Sequence, residues 1–327
     1  MAPGILVFHV TQHEARKSLT TLLRGWLREQ SWRDVKRLVQ TRRVQINGNL
    51  CLDEGRRLTE GEVVRVLEHS QAPPPREDDV KIHFVDNHLV VVEKPAGLTT
   101  LRHSEELDWP ARRKDRQPTL DELLPRVLAR RKSSVPPTRG KLPRVRAVHR
   151  LDRETSGLMV FARSSEAERH LVQQFRKHTI HRKYLAVIHG QIAAQRIESN
   201  LVRDRGDGRR GSSNKPHLGQ RAVTHIRPVE RLGDYSLIEC QLETGRTHQI
   251  RIHLSEAGHF VCGDKVYRQP LFKPPLPDKS GAPRVALHAA ELGFDHPVTT
   301  EPLHFRMPLP RDLKEFIERL RRDAGKK

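Results

Sequence analysis

The stretch HRLDRETSGLMVFA, residues 149–162, decides the fold of the larger part of the chain. A turn made of Thr-Ser-Gly is followed by an apolar run that predicts a strand over residues 157–162. Working outward, similar runs predict further strands at residues 81–85, 89–93, 183–189 and 235–242. Strands that dominate over the helical patterns between them predict one large domain over residues 80–327.

Asp152 lies ahead of that turn, between Arg150 and Arg153. A carboxylate beside two positive charges is ionised at neutral pH and can act as a nucleophile or a base. An aspartate that only pairs with Arg153 to hold a loop would have the same local pattern. The run alone therefore indicates a candidate catalytic carboxylate and leaves its role open.

Three stretches interrupt the strand pattern, at about residues 102–146, 203–221 and 268–284, and all are rich in Arg, Lys, Pro or Gly. We interpret them as surface insertions that could clamp a polyanion, although simple mobile loops would have the same composition. The chain closes with apolar residues at positions 313, 316, 317 and 320, a spacing that predicts a packing helix.

A separate pattern occupies residues 1–70. Leucines at positions 19, 22, 23 and 27 predict one helix, and Ser31 is a suitable N-cap for a second helix from about Trp32 to Arg43. Apolar residues at positions 35, 38 and 39 give this second helix a core face. Its other positions are strongly cationic and include Arg33, Lys36, Arg37, Arg42 and Arg43.

Asn47-Gly48 separates two short alternating stretches within residues 44–52, and this dipeptide is the strongest short signal for a β-hairpin. A strand over residues 62–67 completes the small module. Residues 71–79 contain three consecutive prolines followed by charges, which predicts a stiff, solvated linker.

Lys and Arg number 60 against 40 Asp and Glu, which gives a net charge of +20. An excess of this size predicts a polyanionic partner, although an organism whose proteins are all basic would give the same balance.

The three cysteines are far apart and form neither a CxxC pair nor a disulfide framework, which predicts a reducing compartment. The opening MAPGILVFHV is too short to span a bilayer, and no later stretch is long and apolar enough. We therefore expect a cytoplasmic protein with no membrane segment.

Four ordered segments give the chain a resemblance to a known family. Residues 149–157 (HRLDRETSG) resemble the catalytic loop of the RluA-type RNA pseudouridine synthases. Three further segments resemble that family's opening strand, tyrosine-bearing strand and third motif: 91–98 (VVEKPAGL), 181–190 (HRKYLAVIHG), and 244–254 (TGRTHQIRIHL) followed by Gly258 and Gly263-Asp264. Residues 287–297 resemble its closing strand region. Four motifs in the family's order are far more specific than any one of them.

The resemblance implies that the protein isomerises uridine to pseudouridine in structured RNA, either ribosomal or transfer RNA. It makes Asp152 the essential carboxylate, Tyr184 the aromatic residue that faces the target uridine, and Arg251 the partner that keeps Asp152 ionised. It also suggests that Arg150 enters the gap left by the extruded base, a plain phosphate contact being the alternative. A carboxylate can bond covalently to the nucleoside or stabilise a cationic sugar, and both routes stay open.

Residues 13–68 resemble the alpha-L type RNA-binding module first seen in a ribosomal small-subunit protein. This likeness implies that the basic residues of the second helix, Arg33, Lys36, Arg37, Arg42 and Arg43, bind RNA. A basic helix on a generic small domain is the alternative. The expected fold is therefore α+β: a small helix and hairpin module joined to a larger mixed, mainly antiparallel-sheet catalytic domain.

We expect a monomer that needs no cofactor for this isomerisation. The 19 histidines are dispersed and lack ligand spacing, which argues against a catalytic metal. The long basic stretch between positions 101 and 146 departs from many relatives, so substrate contacts on that side do not carry over.

Two rival functions are kept. One is an RNA-binding assembly factor that has lost the chemistry, which the intact Asp152, Tyr184 and Arg251 disfavour. The other is a hydrolase of glycosidic bonds, which usually needs a second carboxylate, and Glu154 is the nearest candidate.

Overall fold

The computed structural model describes residues 6–46, 49–68, 70, 73–102, 106–131, 142–213, 215, 217–268 and 274–325. The chain divides into two compact units. Met1–Pro74 and His103–Pro118 form the first, and Pro75–Arg102 and Thr119–Lys327 form the second. Within the described ranges, no helix combines the length and the apolar character needed to cross a bilayer.

The first unit packs two helices, α1 (Leu19–Trp26) and α2 (Trp32–Gln40), against a small antiparallel sheet. The sheet has the order β1-β4-β2-β3, with β1 at Leu6–His9, β2 at Val44–Ile46, β3 at Asn49–Leu50 and β4 at Val63–Val66. The predicted hairpin is confirmed, because Ile46 pairs with Asn49 across a two-residue connection. Asn47 and Gly48 themselves lie outside the described residues.

Helix α2 begins where the sequence predicted and ends earlier. The Asp34 amide donates to the Ser31 hydroxyl (3.2 Å), while the Ser31 amide donates to the Asp34 carboxylate (3.2 Å), so the two residues form a capping box. The predicted end at Arg43 is wrong: the helix stops at Gln40, and Arg42 adopts a left-handed φ of 60°. Arg43 instead donates from Nε to the Leu67 carbonyl (2.8 Å).

Part of the first predicted insertion belongs to this unit. It forms the short helix α3 (Ala111–Arg116). Arg113 pairs with Asp53 (3.4 Å) and lies over the Trp109 ring, 3.6 Å from its centroid. The Gln117 side chain donates to the Leu50 carbonyl (2.7 Å). The segment is therefore held by specific contacts.

The second unit is built on one large mixed sheet. Its strands are β5 (Lys81–Val85), β6 (Leu89–Lys94), β7 (Arg146–Ala147), β8 (Ser156–Ala162), β9 (His181–His189), β10 (Gln195–Val202), β11 (Gly211–Ser212), β12 (Gln220–Leu232), β13 (Tyr235–Leu242), β14 (Leu287–Asp295) and β15 (Pro302–Arg306). The order is β11-β10-β12-β13-β9-β14-β8-β6-β5, with β15 beside β14 and β7 beside β8. The pair β8–β14 is parallel, and the other pairs are antiparallel. The expected α+β class and mainly antiparallel sheet are confirmed.

Four helices cover this sheet: α4 (Leu120–Arg130), α5 (Ser165–Lys177), α6 (Gln249–Glu256) and α7 (Arg311–Ala324). Helix α7 buries the four apolar residues that predicted it. Helix α4 lies inside the stretch predicted to be a surface insertion, yet it buries Leu120, Leu124 and Leu128 in the main core. The insertion reading is therefore wrong for this helix.

Strand β8 is buried along its whole length and joins two parts of the sheet. It pairs with β14 through Gly157 and Ala289. Gly157 has a φ of 126°, and a Cβ at this position would lie 2.3 Å from the Ala289 carbonyl oxygen. Only glycine permits this approach. The approach fixes the point at which the preceding loop leaves the sheet.

Replacing Gly157 with alanine is expected to lower the free energy of unfolding by about 3 kcal/mol or more, because backbone strain and overpacking act together. Urea unfolding measures the change. Gly25→Ala is the control, since Gly25 lies in α1 and nothing lies within 4 Å of where its Cβ would be. We expect that control to stabilise by up to about 1 kcal/mol. Equal free energies of unfolding for the two variants would contradict the prediction.

Candidate active site

The loop that precedes β8 is anchored to the segment that follows β6. The Thr100 hydroxyl donates to the Leu151 carbonyl (2.8 Å) and accepts from the Leu151 amide (3.2 Å). The fully buried Lys94 donates from Nζ to the Arg153 carbonyl (3.1 Å). Asp152 therefore lies between two residues whose backbone is fixed.

Helix α6 brings Arg251 to the same place. The helix begins at Gln249, and His248 is its N-cap with a left-handed φ of 59°. Gly258 follows the helix with a φ of 85°. Arg251 is only 6% exposed and points into the domain.

The Arg251 guanidinium joins two carboxylates. Nε and Nη2 donate to the two oxygens of Asp264, at 2.6 and 2.9 Å. Nη1 lies 3.5 Å from Oδ2 of Asp152, at the outer limit of a hydrogen bond. Asp264 is therefore the tight, bidentate partner, and Asp152 is the looser one.

The charges of this group are set by burial and by pairing. Burial alone would lower the pKa of Arg251, but the Asp264 carboxylate outweighs burial and raises the pKa. Burial would raise the pKa of Asp264, and the Arg251 guanidinium holds it below its usual range. Both groups are therefore charged at neutral pH, and Arg251 presents a permanent positive charge to Asp152.

These groups open into a pocket of about 430 Å³. Asp152, Tyr184, Arg251 and Arg150 all line it. Other lining residues are Val148, His149, Phe175, Arg182, Arg246, His248 and Leu287. The structure thus brings residues from three separate segments of the chain to one cavity: Arg150 with Asp152, Tyr184, and Arg251.

Tyr184 forms part of the wall of this pocket from the middle of the sheet. Its strand, β9, is paired on both sides, and Tyr184 stands opposite Cys240 of β13 and Ala289 of β14. Tyr184 is 8% exposed. Burial raises the pKa of Tyr184, so its hydroxyl is protonated at neutral pH and can donate a hydrogen bond.

Several known proteins resemble this chain in sequence or in fold. Residues 88–256 match the family described as RNA pseudouridylate synthase. The ribosomal large subunit pseudouridine synthase D of Neisseria meningitidis is 38% identical over 269 residues, which cover 80% of this chain and 67% of that protein. An uncharacterised RNA pseudouridine synthase of Bacillus subtilis, YlyB, is 34% identical over 96% of this chain and 98% of its own length.

The chain belongs to the RNA pseudouridylate synthase family. The solved structure of human RNA pseudouridylate synthase domain containing 4 has a TM-score of 0.58, with 24% identity over 73% of this chain and 92% of that one. This likeness supports the fold. The protein is an RNA pseudouridine synthase, an enzyme that isomerises uridine to pseudouridine in RNA.

The remaining predicted RNA-binding residues of the synthase lie in its first unit. Arg33, Lys36 and Arg37 are exposed on α2, at a spacing that places them on one face. Arg42 and Arg43 follow the end of the helix and are half-buried. Three of these five residues therefore share one exposed face of α2, and the other two, Arg42 and Arg43, lie beyond the end of the helix.

Two groups in the pocket region were missed as functional candidates. Asp264 is one, and the need of a buried arginine for a carboxylate is the signal that points to it. His248 is the other: its Nε2 lies 3.8 Å from Oδ1 of Asp152, and its Nδ1 is hydrogen-bonded to the Tyr267 hydroxyl (2.7 Å). Burial lowers the pKa of His248, so the imidazole is neutral at neutral pH.

Replacing Asp264 with asparagine is expected to lower the free energy of unfolding by about 3–5 kcal/mol at pH 6, because the buried charge of Arg251 loses its partner. Because the pKa of Asp264 is lowered in the folded state, its carboxylate adds to the free energy of unfolding of the wild type. This contribution is complete above the pKa of about 4 that the group has in the unfolded state, and it is lost as the pH falls through the pKa of the folded state. The difference between wild type and variant should therefore shrink at pH 3.

Urea unfolding at both pH values measures this difference. The control is Glu315→Gln, which removes a 60% exposed carboxylate paired with the 91% exposed Arg311 and should cost about 1 kcal/mol or less. If the free energies of unfolding of wild type and Asp264→Asn differed by the same amount at both pH values, the charge of the Asp264 carboxylate would not contribute to stability.

Proposed function

We propose that this synthase modifies uridines in large-subunit ribosomal RNA and that Asp152 is its essential carboxylate. The observation that carries the proposal is the position of Asp152 in the pocket, 3.5 Å from a buried arginine that a second carboxylate already holds. This arrangement leaves the oxygens of Asp152 available to a ligand.

The reaction breaks the bond between the ribose and N1 of uracil, rotates the base, and joins the ribose to C5. C5 then loses its proton, and N1 takes up a proton, so that the product is an isomer of uridine. Both routes open to Asp152, a covalent bond to the nucleoside and stabilisation of a cationic sugar, require its carboxylate to face the target. Arg251 orients that carboxylate through the ion pair. His248 lies beside the other carboxylate oxygen and limits its rotation.

The target base has to leave its stack before it can react, at a cost of a few kcal/mol. We assign to Tyr184 the contact with the extruded base, since stacking on an aromatic ring recovers about 1–3 kcal/mol. Its protonated hydroxyl is placed for hydrogen bonding or proton transfer in the same pocket. Arg150 is exposed where it lines the cavity, which suits a residue that fills the gap in the RNA or contacts its backbone.

The ribosomal substrate is supported by a relative and by charge. The 38% identical Neisseria protein is named a ribosomal large subunit pseudouridine synthase. A net charge of +20 suits a structured polyanion. We assign RNA binding in the first unit to the α2 face formed by Arg33, Lys36 and Arg37, with Arg42 and Arg43 contributing beyond the helix.

We infer that the synthase works in the cytoplasm as a monomer, since one chain supplies the whole pocket and its three cysteines are free and buried.

Asp152→Asn is expected to reduce tritium release from RNA labelled at C5 of uridine to background, with RNA affinity nearly unchanged. In cells that lack the gene, wild type should restore specific pseudouridines in large-subunit ribosomal RNA, and Asp152→Asn should not. Glu154→Gln is the matched control: Glu154 is 44% exposed and lies 3.7 Å from Arg153, so its loss should leave activity intact.

An active Asp152→Asn variant would remove the proposed role of the carboxylate. Pseudouridines that disappear only from other RNAs would remove the ribosomal assignment. Release of free uracil by wild type would favour the hydrolase instead.

The combined change of Arg33, Lys36 and Arg37 to glutamine should weaken RNA binding and reduce the slope of log affinity against log salt by about 2–3. Each lost phosphate contact removes about 0.7–0.9 from this slope, because fewer counterions are released. The control removes three charges from α7, at positions 311, 314 and 321. Equal slopes for the two triple variants would exclude the α2 face from RNA binding.

A further inference from the structure

Arg182 is a buried cation in the pocket wall. It lies on β9 two residues before Tyr184, lines the same cavity, and is only 7% exposed. Its Nη2 group donates to the Leu242 and Glu243 carbonyls, at 3.4 and 2.9 Å. Its Nε is buried and has no hydrogen-bond partner among the described residues.

Arg182 differs from the other buried arginines of this unit because no carboxylate of the described residues pairs with it. The side chains of Arg102, Arg205 and Arg251 are 3%, 6% and 7% exposed, and each is matched by a carboxylate. The surroundings of Arg182 supply two carbonyl oxygens, the ring of Phe175 and the hydroxyl-bearing Tyr184. Burial lowers the pKa of Arg182, and no carboxylate offsets this effect.

A buried charge without a counter-charge costs several kcal/mol, so it persists where function requires it. We propose that Arg182 forms a phosphate subsite, which binds an RNA backbone phosphate that flanks the target uridine. The inference rests on the proposed function, in which Tyr184 contacts the extruded base. Because side chains two residues apart on a strand share one face, about 6–7 Å apart, a base on Tyr184 leaves a flanking phosphate within reach of Arg182.

A phosphate fits this position better than a uracil carbonyl does. A carbonyl oxygen carries no net charge, and Arg182 already has two such partners. Arg150, Arg176 and Arg246 are exposed along the same pocket, so the cavity is lined with positive charge that suits a backbone entering it. The Arg182 guanidinium is the planar, permanently charged group that matches phosphate oxygens.

Gly245 provides the space for this guanidinium. A Cβ at Gly245 would lie 2.6 Å from Nη1 of Arg182, and the next nearest atom is also in that guanidinium. Its φ is not in the left-handed region, so an alanine here meets only the far end of a flexible side chain. Gly245→Ala should therefore displace the Arg182 charge while the fold stays intact.

The test uses a short RNA, from any RNA that wild type modifies, that carries one target uridine. Each phosphate near that uridine is replaced in turn by a neutral methylphosphonate. For wild type, one replacement next to the target should lower kcat/KM about tenfold or more, because a charge-assisted contact is lost. Arg182→Gln should have a low kcat/KM with the normal RNA and no further loss at that phosphate. Arg321→Gln, which removes one distant surface charge, should respond as wild type does.

Gly245→Ala tests the subsite even if Arg182→Gln fails to fold. It should keep the thermal unfolding temperature of wild type and show reduced sensitivity to the same methylphosphonate. Full sensitivity at every phosphate in either folded variant would overturn the subsite and favour a contact of Arg182 with uracil. The test RNA is any RNA that the wild type modifies, so the test does not depend on the ribosomal assignment. If the role of Asp152 were wrong, the Asp152→Asn variant would be active, which is a different result from the ones described here.

Discussion

The candidate active site depends on the ion pairs of the buried Arg251 guanidinium, which is bound tightly on one side and loosely on the other. Asp264 holds it with two short hydrogen bonds and satisfies its charge. Asp152, which lines the pocket, lies 3.5 Å from the same guanidinium and is its looser partner. If Asp152 were the only counter-charge, the same arginine would draw it into a tight pair and compete with the substrate.

This arrangement requires a rigid frame, because its parts are distant along the chain. Asp152 and Arg251 are 99 positions apart. The loop that carries Asp152 is fixed at Leu151 and Arg153 by the segment after β6, and Gly157 lets β8 approach β14. A shift of 1 Å in either part would turn the 3.5 Å ion pair into a different contact.

The amino-acid sequence predicts the elements that have a clear period and fails where composition conceals them. Apolar runs located the five predicted strands, and Asn47-Gly48 located the hairpin. Helix α4 was misread because its buried leucines lie in a stretch rich in Arg and Pro. Asp152, Tyr184 and Arg251 received roles through the motifs, whereas Asp264 and Arg182 lie in or beside motif segments and received no role from the sequence. What distinguishes Asp264 and Arg182 is whether each charge has an oppositely charged partner, and the three-dimensional fold determines those partners.

The two buried arginines of the pocket, Arg251 and Arg182, therefore differ in whether a carboxylate of the described residues pairs with them. Arg251 is paired with two carboxylates of the chain, Asp264 at 2.6 Å and Asp152 at 3.5 Å. Arg182 is not neutralised by a carboxylate of the described residues, so the free enzyme bears the cost of a buried charge. A ligand that supplies the missing negative charge removes that cost. RNA binding is then coupled to the stability of the pocket itself, since whatever binds only the folded state stabilises it.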